Sequence, residues 1–402
     1  MSILESIIST FGIPFMTTGQ AIMILLSLFF MYLAIIKKYE PLLLLPLAFG
    51  ILIANLPVVG LNAYHEYQTA FREIGSYNEE GVKMLPGLMN FLYSGIRLVI
   101  YPPLVFLCLG TMTDFGPLIA NPKSALIGIG GQLGIFVAFG ISLFFGNLLL
   151  PYFGYEGFSL KEAAAIGIIG SSDGPTAIYA ATRLAPELLP PIAIAAFSYM
   201  ALVPFIQPPI MRLLTTAKER VIIMPEPKRV TQKQKVLFPI ICTIITLLFV
   251  PAAGALISML MLGNLIRESG VADRYVRAFQ NDLLSILTFL VALGIGSSAT
   301  ADRFLHPRTL IIIACGLLAF AFGTIGGVLV AKLLCLITRG KVNPLIGNSG
   351  VSAMPMAARI SQKMGQKYNP DNHLLMHAMG PIVSSTIGSA IVAGIFISYF
   401  AK

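Results

Sequence analysis

Residues 310–334 read LIIIACGLLAFAFGTIGGVLVAKLL, a run longer than the roughly 18 apolar residues that make a membrane span. The stretch from Ala21 to Ile36 with its flanks reads the same way. Composition agrees: 56% of the 402 residues are hydrophobic and 11% charged, against about 25% charged in soluble domains. No water-soluble core needs that much apolar sequence, so the bilayer is the solvent and an all-α polytopic membrane protein is expected. The first residues, Met1 to Phe15, carry Glu5 and no basic cluster, which reads as a retained N-terminus rather than a cleaved signal peptide. Cys108, Cys242, Cys315 and Cys335 each stand alone in apolar runs, without metal-ligand spacing, and suit core packing. The net charge of +9 is explained by orientation in the membrane, not by a nucleic-acid partner, because Lys and Arg gather in short loops.

Those loops set the topology. Lys37 and Lys38, then Lys123, then the connection from Arg212 to Lys235 with Lys218, Arg220, Lys228, Arg229 and Lys233, are cytoplasmic by the positive-inside rule. The loop from Asn62 to Lys83 has an acidic excess and suits the outside. Spans near 20–36, 41–57, 92–112, 124–150 and 190–211 satisfy this alternation only if the apolar segment from Ala163 to Tyr179 is re-entrant or broken. About ten spans plus two broken or re-entrant segments are expected in all.

The second half repeats the first. Asp173-Gly174-Pro175-Thr176-Ala177, with Ala181 and Arg183, aligns at a constant offset with Ser349-Gly350-Val351-Ser352-Ala353, Ala357 and Arg359. Ala201 and Pro204 align with Ala378 and Pro381, Pro122-Lys123 with Pro307-Arg308, Gly110 to Asp114 with Gly296 to Asp302, and Asn55-Leu56 with Asn264-Leu265. The order implies a duplication, and the loop charges imply inverted topology, as in secondary transporters. The expected organisation is a first membrane repeat at 1–215 with a broken segment at 163–183, a basic cytoplasmic linker at 216–236, and a second repeat at 237–402 with a broken segment at 343–360.

Gly170-Ser171-Ser172-Asp173-Gly174-Pro175-Thr176 puts a carboxylate inside an apolar segment, at a cost of about 2.5–3.5 kcal/mol on insertion scales. The glycines permit unusual backbone angles and Pro175 suits the first turn of a new half-helix. Such a break exposes main-chain carbonyls that, with Asp173 and the hydroxyls, form an oxygen cage for a small cation; a helix cap is the plainer role for the same Asp. The partner stretch, Asn343-Pro344-Leu345-Ile346-Gly347-Asn348-Ser349-Gly350-Val351-Ser352-Ala353-Met354-Pro355, offers neutral oxygens from Asn343, Asn348, Ser349 and Ser352 as a second cation half-site, or as a polar helix contact. Arg359, flanked by Lys363 and Lys367, suits an anion arriving from the cytoplasm or a snorkelling role. Tyr199 lies within a span, where its hydroxyl can donate a proton or simply pack.

At these two segments the sequence resembles the β subunits of the sodium-pumping biotin-dependent decarboxylases, the oxaloacetate, methylmalonyl-CoA and glutaconyl-CoA enzymes. The resemblance rests on Gly-x-x-Asp-Gly-Pro-Thr-Ala-Ile at Gly170 to Ile178 and on Asn-Pro-Leu-Ile-Gly-x-x-Gly-Val-Ser-Ala-x-Pro-Met-Ala-Ala-Arg at Asn343 to Arg359. It implies that sodium coupling and carboxybiotin decarboxylation fall to Asp173, Asn343, Gly347, Ser352, Arg359 and Tyr199. Sodium ligands are then expected at Asp173, Asn343, Gly347, Ser352 and Ser349, carboxybiotin contacts at Arg359 and Ser352, and catalytic roles at Tyr199, Arg359 and Asp173. It also implies a carboxyltransferase α subunit, a biotin carrier protein that delivers carboxybiotin, a small single-span subunit and possible homo-oligomers, all at the bacterial cytoplasmic (inner) membrane. Where oxaloacetate-type members carry Asn after the Gly-Pro of the last span, this chain has Ile382. The competing reading is a stand-alone sodium-coupled secondary transporter of a small carboxylate.

Overall fold

The computed structural model describes residues 16–57, 87–226, 229–353 and 356–401. The expectations for the N-terminus before Met16, for the acidic loop at 62–83, for Lys228 and for Met354-Pro355 lie outside the described residues. Every regular element among those described is helical, as lipid requires, since a helix satisfies its own backbone N–H and C=O groups. Starts are marked by capping boxes: Thr17 with Gln20, Ser159 with Glu162, and Thr231 with Gln234.

Six helices among the described residues are long and apolar enough to cross a membrane: Thr18–Ile35, Pro122–Phe153, Gln232–Phe249, Asp273–Ser298, Pro307–Ile337 and Leu375–Phe400. Two pairs of adjacent helices pass the same test only together, which raises the number to 8, and Pro41–Asn55 is a shorter apolar helix. The expected span at 92–112 is not continuous. Leu88–Arg97 ends in a turn where Val99 has φ 60, and Tyr101–Met112 begins afresh. A β-branched residue in left-handed backbone breaks a helix whatever its hydropathy. Burial separates inner from outer spans: within an apolar 18-residue stretch of each, 61% of residues are buried in Leu375–Phe400 and 56% in Pro307–Ile337, but only 11% in Gln232–Phe249. The exposed Ile241, Ile244, Leu248 and Phe249 of that last helix present an apolar face for lipid.

The chain forms two compact units, Met1–Tyr101 with Ser285–Leu310, and Pro102–Leu284 with Ile311–Lys402. Each draws on both sequence halves. In the first, Pro41–Asn55 packs so tightly on Leu284–Ser298 that a Cβ on Gly296 would lie 2.2 Å from the Leu47 carbonyl. Asn55 Nδ2 donates to the Ala299 carbonyl at 2.8 Å. In the second unit, Tyr101–Met112 packs on Gly254–Ser269 in the same manner: a Cβ on Gly110 would lie 2.0 Å from the Leu260 carbonyl, and Asn264 Nδ2 donates to the Thr113 carbonyl at 2.9 Å. Each accepting carbonyl belongs to the residue three past the glycine. The two asparagines aligned by the repeat thus make equivalent bonds, each to the opposite half.

Candidate functional site

The segment aligned on Asp173 is broken, as expected. Helix Leu160–Gly167 tightens into a 3-10 turn, Ile168–Ser171, and Ser172 takes left-handed backbone (φ 58). Helix Gly174–Leu184 then starts with Asp173 as its N-cap and Pro175 in its first turn. Asp173 is 5% exposed. Its Oδ1 accepts from Thr176 N at 3.4 Å, and its Oδ2 accepts from Thr176 Oγ1 at 2.7 Å and from Ser389 Oγ at 3.0 Å. The capping role and the buried-carboxylate role therefore coexist in one side chain. Three donors meet a group that accepts about four, and no basic side chain among the described residues forms an ion pair with it.

The second segment runs as a 3-10 turn, Pro344–Gly350, into extended residues, and a half-helix follows at Met356–Tyr368. It meets the first break directly: Ser352 N donates to the Ser171 carbonyl at 3.0 Å. Ser352 Oγ donates to Ser385 Oγ at 3.0 Å, and Gln132 Nε2 donates to the same Ser385 Oγ at 3.0 Å. Gln132 Oε1 and Ser172 Oγ, both buried, have no hydrogen-bond partner among the described residues, so oxygen lone pairs beside the junction are left over. No group of three or more His, Cys, Asp or Glu capable of holding a metal is found among the described residues; the donor set is one carboxylate with hydroxyl, amide and main-chain oxygens, the hard ligands that suit small non-transition cations.

Glycine makes this junction possible. A Cβ on Gly131 would stand 1.7 Å from the Gly350 carbonyl, and one on Gly134 2.5 Å from the Gly170 carbonyl. The helical stretch around Gln132 therefore presses backbone against both broken segments, and Gly327 of the Pro307–Ile337 span meets the Gly347 carbonyl in the same way (2.2 Å).

The remaining site residues divide. Ser349 bonds to Asn348 and Ser361, and Asn348 donates to Gln207 Oε1 and to the Ala357 carbonyl, both at 2.9 Å. Gly347 backs onto Val328. Asn343 bonds elsewhere, to the carbonyls of Arg220 and Ile222. Tyr199 is buried and donates to the Ile313 carbonyl. Arg359, Lys363 and Lys367 are exposed on the half-helix. Sequence reasoning missed Ser389, Ser385 and Gln132. Their signal was present but faint: serines one turn apart in the last span, and an amide between Gly131 and Gly134.

An interrupted helix pair holding a lone carboxylate at depth is the construction of ion-coupled membrane transport proteins. The model of the Na+-transporting oxaloacetate decarboxylase beta subunit family matches residues 19–400. The chain is 50% identical over 399 residues to a methylmalonyl-CoA decarboxylase subunit beta from Veillonella parvula, covering 99% of this chain and 98% of the relative. It is 46% identical over 434 residues to an oxaloacetate decarboxylase beta chain 2 from Salmonella typhi (99% of each) and 49% identical over 391 residues to a glutaconyl-CoA decarboxylase subunit beta from Acidaminococcus fermentans (97% and 96%). The chain belongs to this family of sodium-transporting decarboxylase β subunits, multi-pass proteins of the bacterial inner membrane that form the membrane part of a decarboxylase-coupled sodium pump.

Proposed function

We propose that this subunit decarboxylates carboxybiotin and couples the step to sodium export, with Asp173 exchanging sodium for a proton. One observation carries the proposal: a carboxylate 5% exposed, surrounded by hydroxyls and lacking a basic partner among the described residues. Burying an unpaired charge is too costly to persist, so the group must hold a cation or a proton. Sodium on Asp173, with Ser352, Ser389 and the main chain of the two breaks as further oxygens, supplies the first state. A proton supplies the second.

A carboxyltransferase α subunit moves the carboxyl group from substrate to biotin, and a biotin carrier protein brings carboxybiotin to the cytoplasmic face, where Arg359 receives the anion. The N–carboxyl bond breaks, CO2 leaves, and the ureido nitrogen takes up a proton. Ser352 stands at the junction between that approach and Asp173. A small single-span subunit and association between copies complete the assembly. Coupling follows if the two repeats, inverted in the membrane, alternate between states of different sodium affinity. The acyl substrate is chosen on another polypeptide, in keeping with the similar identity to relatives named for three different acids.

The test is purification from the native membrane. A biotinylated protein should co-elute, avidin should stop sodium uptake into inverted vesicles, and Asp173→Asn should abolish both CO2 release and sodium uptake. Retention of sodium-stimulated decarboxylation in Asp173→Asn would remove Asp173 from the pathway.

A further inference from the structure

Asn343 is fully buried, and its side chain serves a set of contacts separate from those of Asp173. Nδ2 donates to the Ile222 carbonyl at 2.8 Å and to the Arg220 carbonyl at 3.2 Å, while Oδ1 accepts from Leu345 N at 3.0 Å. Both carbonyls belong to the start of the basic linker. That strap, residues 215–222, receives two more amides: Asn372 Nδ2 donates to the Arg220 carbonyl at 3.1 Å, and Asn369 Nδ2 to the Val221 carbonyl at 3.5 Å. Arg220 itself donates to Tyr368 Oη at 2.9 Å, with its guanidinium 4.9 Å from the centre of that ring, and to Thr215 Oγ1 at 2.9 Å. Lys332 fastens the other side, donating to the Leu214 carbonyl at 3.0 Å and pairing with Glu219 at 3.6 Å.

From Asn343 the chain runs through the 3-10 turn Pro344–Gly350 before reaching Ser352. At about 2.0 Å of rise per 3-10 residue, that turn alone sets Asn343 roughly 14 Å back along the segment. A hard cation of calcium's size holds its oxygens at about 2.3–2.6 Å, so one ion cannot touch both Ser352 and Asn343. Within the turn, Gly347 and Gly350 are packed close against the backbone of Val328 and Ile127, so a shift at one end presses on neighbouring helices and is carried toward the other.

We propose that Asn343 is a positioning residue: its two N–H donors dock the second broken segment on the 215–222 strap, which fixes where Ser352 meets Ser171, and it does not ligate sodium. The inference rests on the reading that sodium is held at Asp173. The linker thereby becomes a mechanical part of the pump, because whatever moves the strap moves the sodium junction.

Asn343→Asp separates the two roles, since it keeps an oxygen at Oδ1 but replaces both donors with an anionic oxygen facing two carbonyls. CO2 release by the intact decarboxylase complex in vesicles is measured against sodium concentration. The expected result is that Asn343→Asp and Asn343→Ala both lower the rate at saturating sodium at least tenfold, while half-saturating sodium moves less than threefold. Tyr368→Phe, which takes away the acceptor for Arg220 Nη1, shows the same pattern at two- to threefold. A ligand would behave otherwise: turnover near wild type in Asn343→Asp, or a tenfold rise in half-saturating sodium at unchanged turnover in Asn343→Ala, overturns the proposal. Should Asn343→Asp fail to accumulate in the membrane, Asn343→Ser and Tyr368→Phe decide it by the same split. Asp173→Asn is run beside them. Its failure to change sodium dependence would sink the sodium assignment, a result read from a different variant than the Asn343 split.

Discussion

Ser389 Oγ reaches Asp173 Oδ2 at 3.0 Å from the last span, and it also lies 2.9 Å from the Thr386 carbonyl of its own helix. A hydroxyl has one proton and two lone pairs. It can donate to the carboxylate when the site holds no cation, then turn that proton to Thr386 and offer a lone pair when sodium arrives. Ser389→Ala loses this ligand and should raise half-saturating sodium about fivefold to tenfold, for a loss of about 1–1.4 kcal/mol, with turnover at saturating sodium largely kept. Sodium-titrated CO2 release checks it, and an unchanged curve counts against Ser389 as a ligand.

Gly131 and Gly134 should tolerate no side chain. The Gly131→Ala methyl would meet the Gly350 carbonyl, and the Gly134→Ala methyl the Gly170 carbonyl, both rigid backbone, so each should cost roughly 1–3 kcal/mol or more. Gly140 lies in the same helix with nothing within 4 Å of its added Cβ, and Gly140→Ala should stabilise by about 0.5–1 kcal/mol. Melting of the detergent-solubilised protein should order the three variants this way; equal melting of Gly131→Ala and Gly140→Ala would contradict the close packing described.

The aligned asparagines offer a matched pair. Asn55→Ala and Asn264→Ala each remove a buried amide donor, to the Ala299 and Thr113 carbonyls respectively, and each should cost about 1–3 kcal/mol. If the duplication preserved equivalent work, the two losses should be similar. A large loss at one and none at the other would argue against equivalence.

Asp114 lies outside the spans. Burial by itself would raise its carboxyl, but the Gly116 N–H at 2.8 Å and the Lys235 ammonium at 3.2 Å outweigh burial and hold it below its usual range. A folded value below the unfolded one, about 3.9, means the contact contributes fully at neutral pH and is lost as pH falls through the folded value. Both partners are about a quarter exposed, so Asp114→Asn, which leaves the Lys235 pair with Glu268 at 3.7 Å in place, should cost no more than about 1 kcal/mol at neutral pH. Melting curves of the two proteins should converge as pH falls through the folded value; a gap that persists below it would show that the loss is one of packing.

Much of the organisation was legible in sequence because lipid penalises polarity so steeply. Asp173 announced itself as a charge in an apolar run, and the breaks on either side of it followed from glycine and proline. The hydroxyls that complete its surroundings did not, since Ser385 and Ser389 are ordinary in a membrane helix until folding brings the last span against the first break. The discontinuity at Val99 was hidden for the opposite reason: a β-branched apolar residue looks like span interior, and its left-handed backbone is imposed by tertiary structure. Asn343 was visible as a polar residue beside a proline. Which oxygen or N–H it would use was decided by a linker more than a hundred positions earlier in the chain.

That each compact unit is assembled from both halves of the polypeptide bears on how the protein is made. When a ribosome has finished the first half of the chain, Asn55 has no Ala299 to hold and Gly110 faces no Leu260, so neither body can close until helices of the second half have been inserted. A gene cut within the linker should therefore yield two fragments that are unstable when expressed singly and that fold when produced together. If the two halves arose by duplication, an ancestral single copy would have needed a second molecule to complete itself.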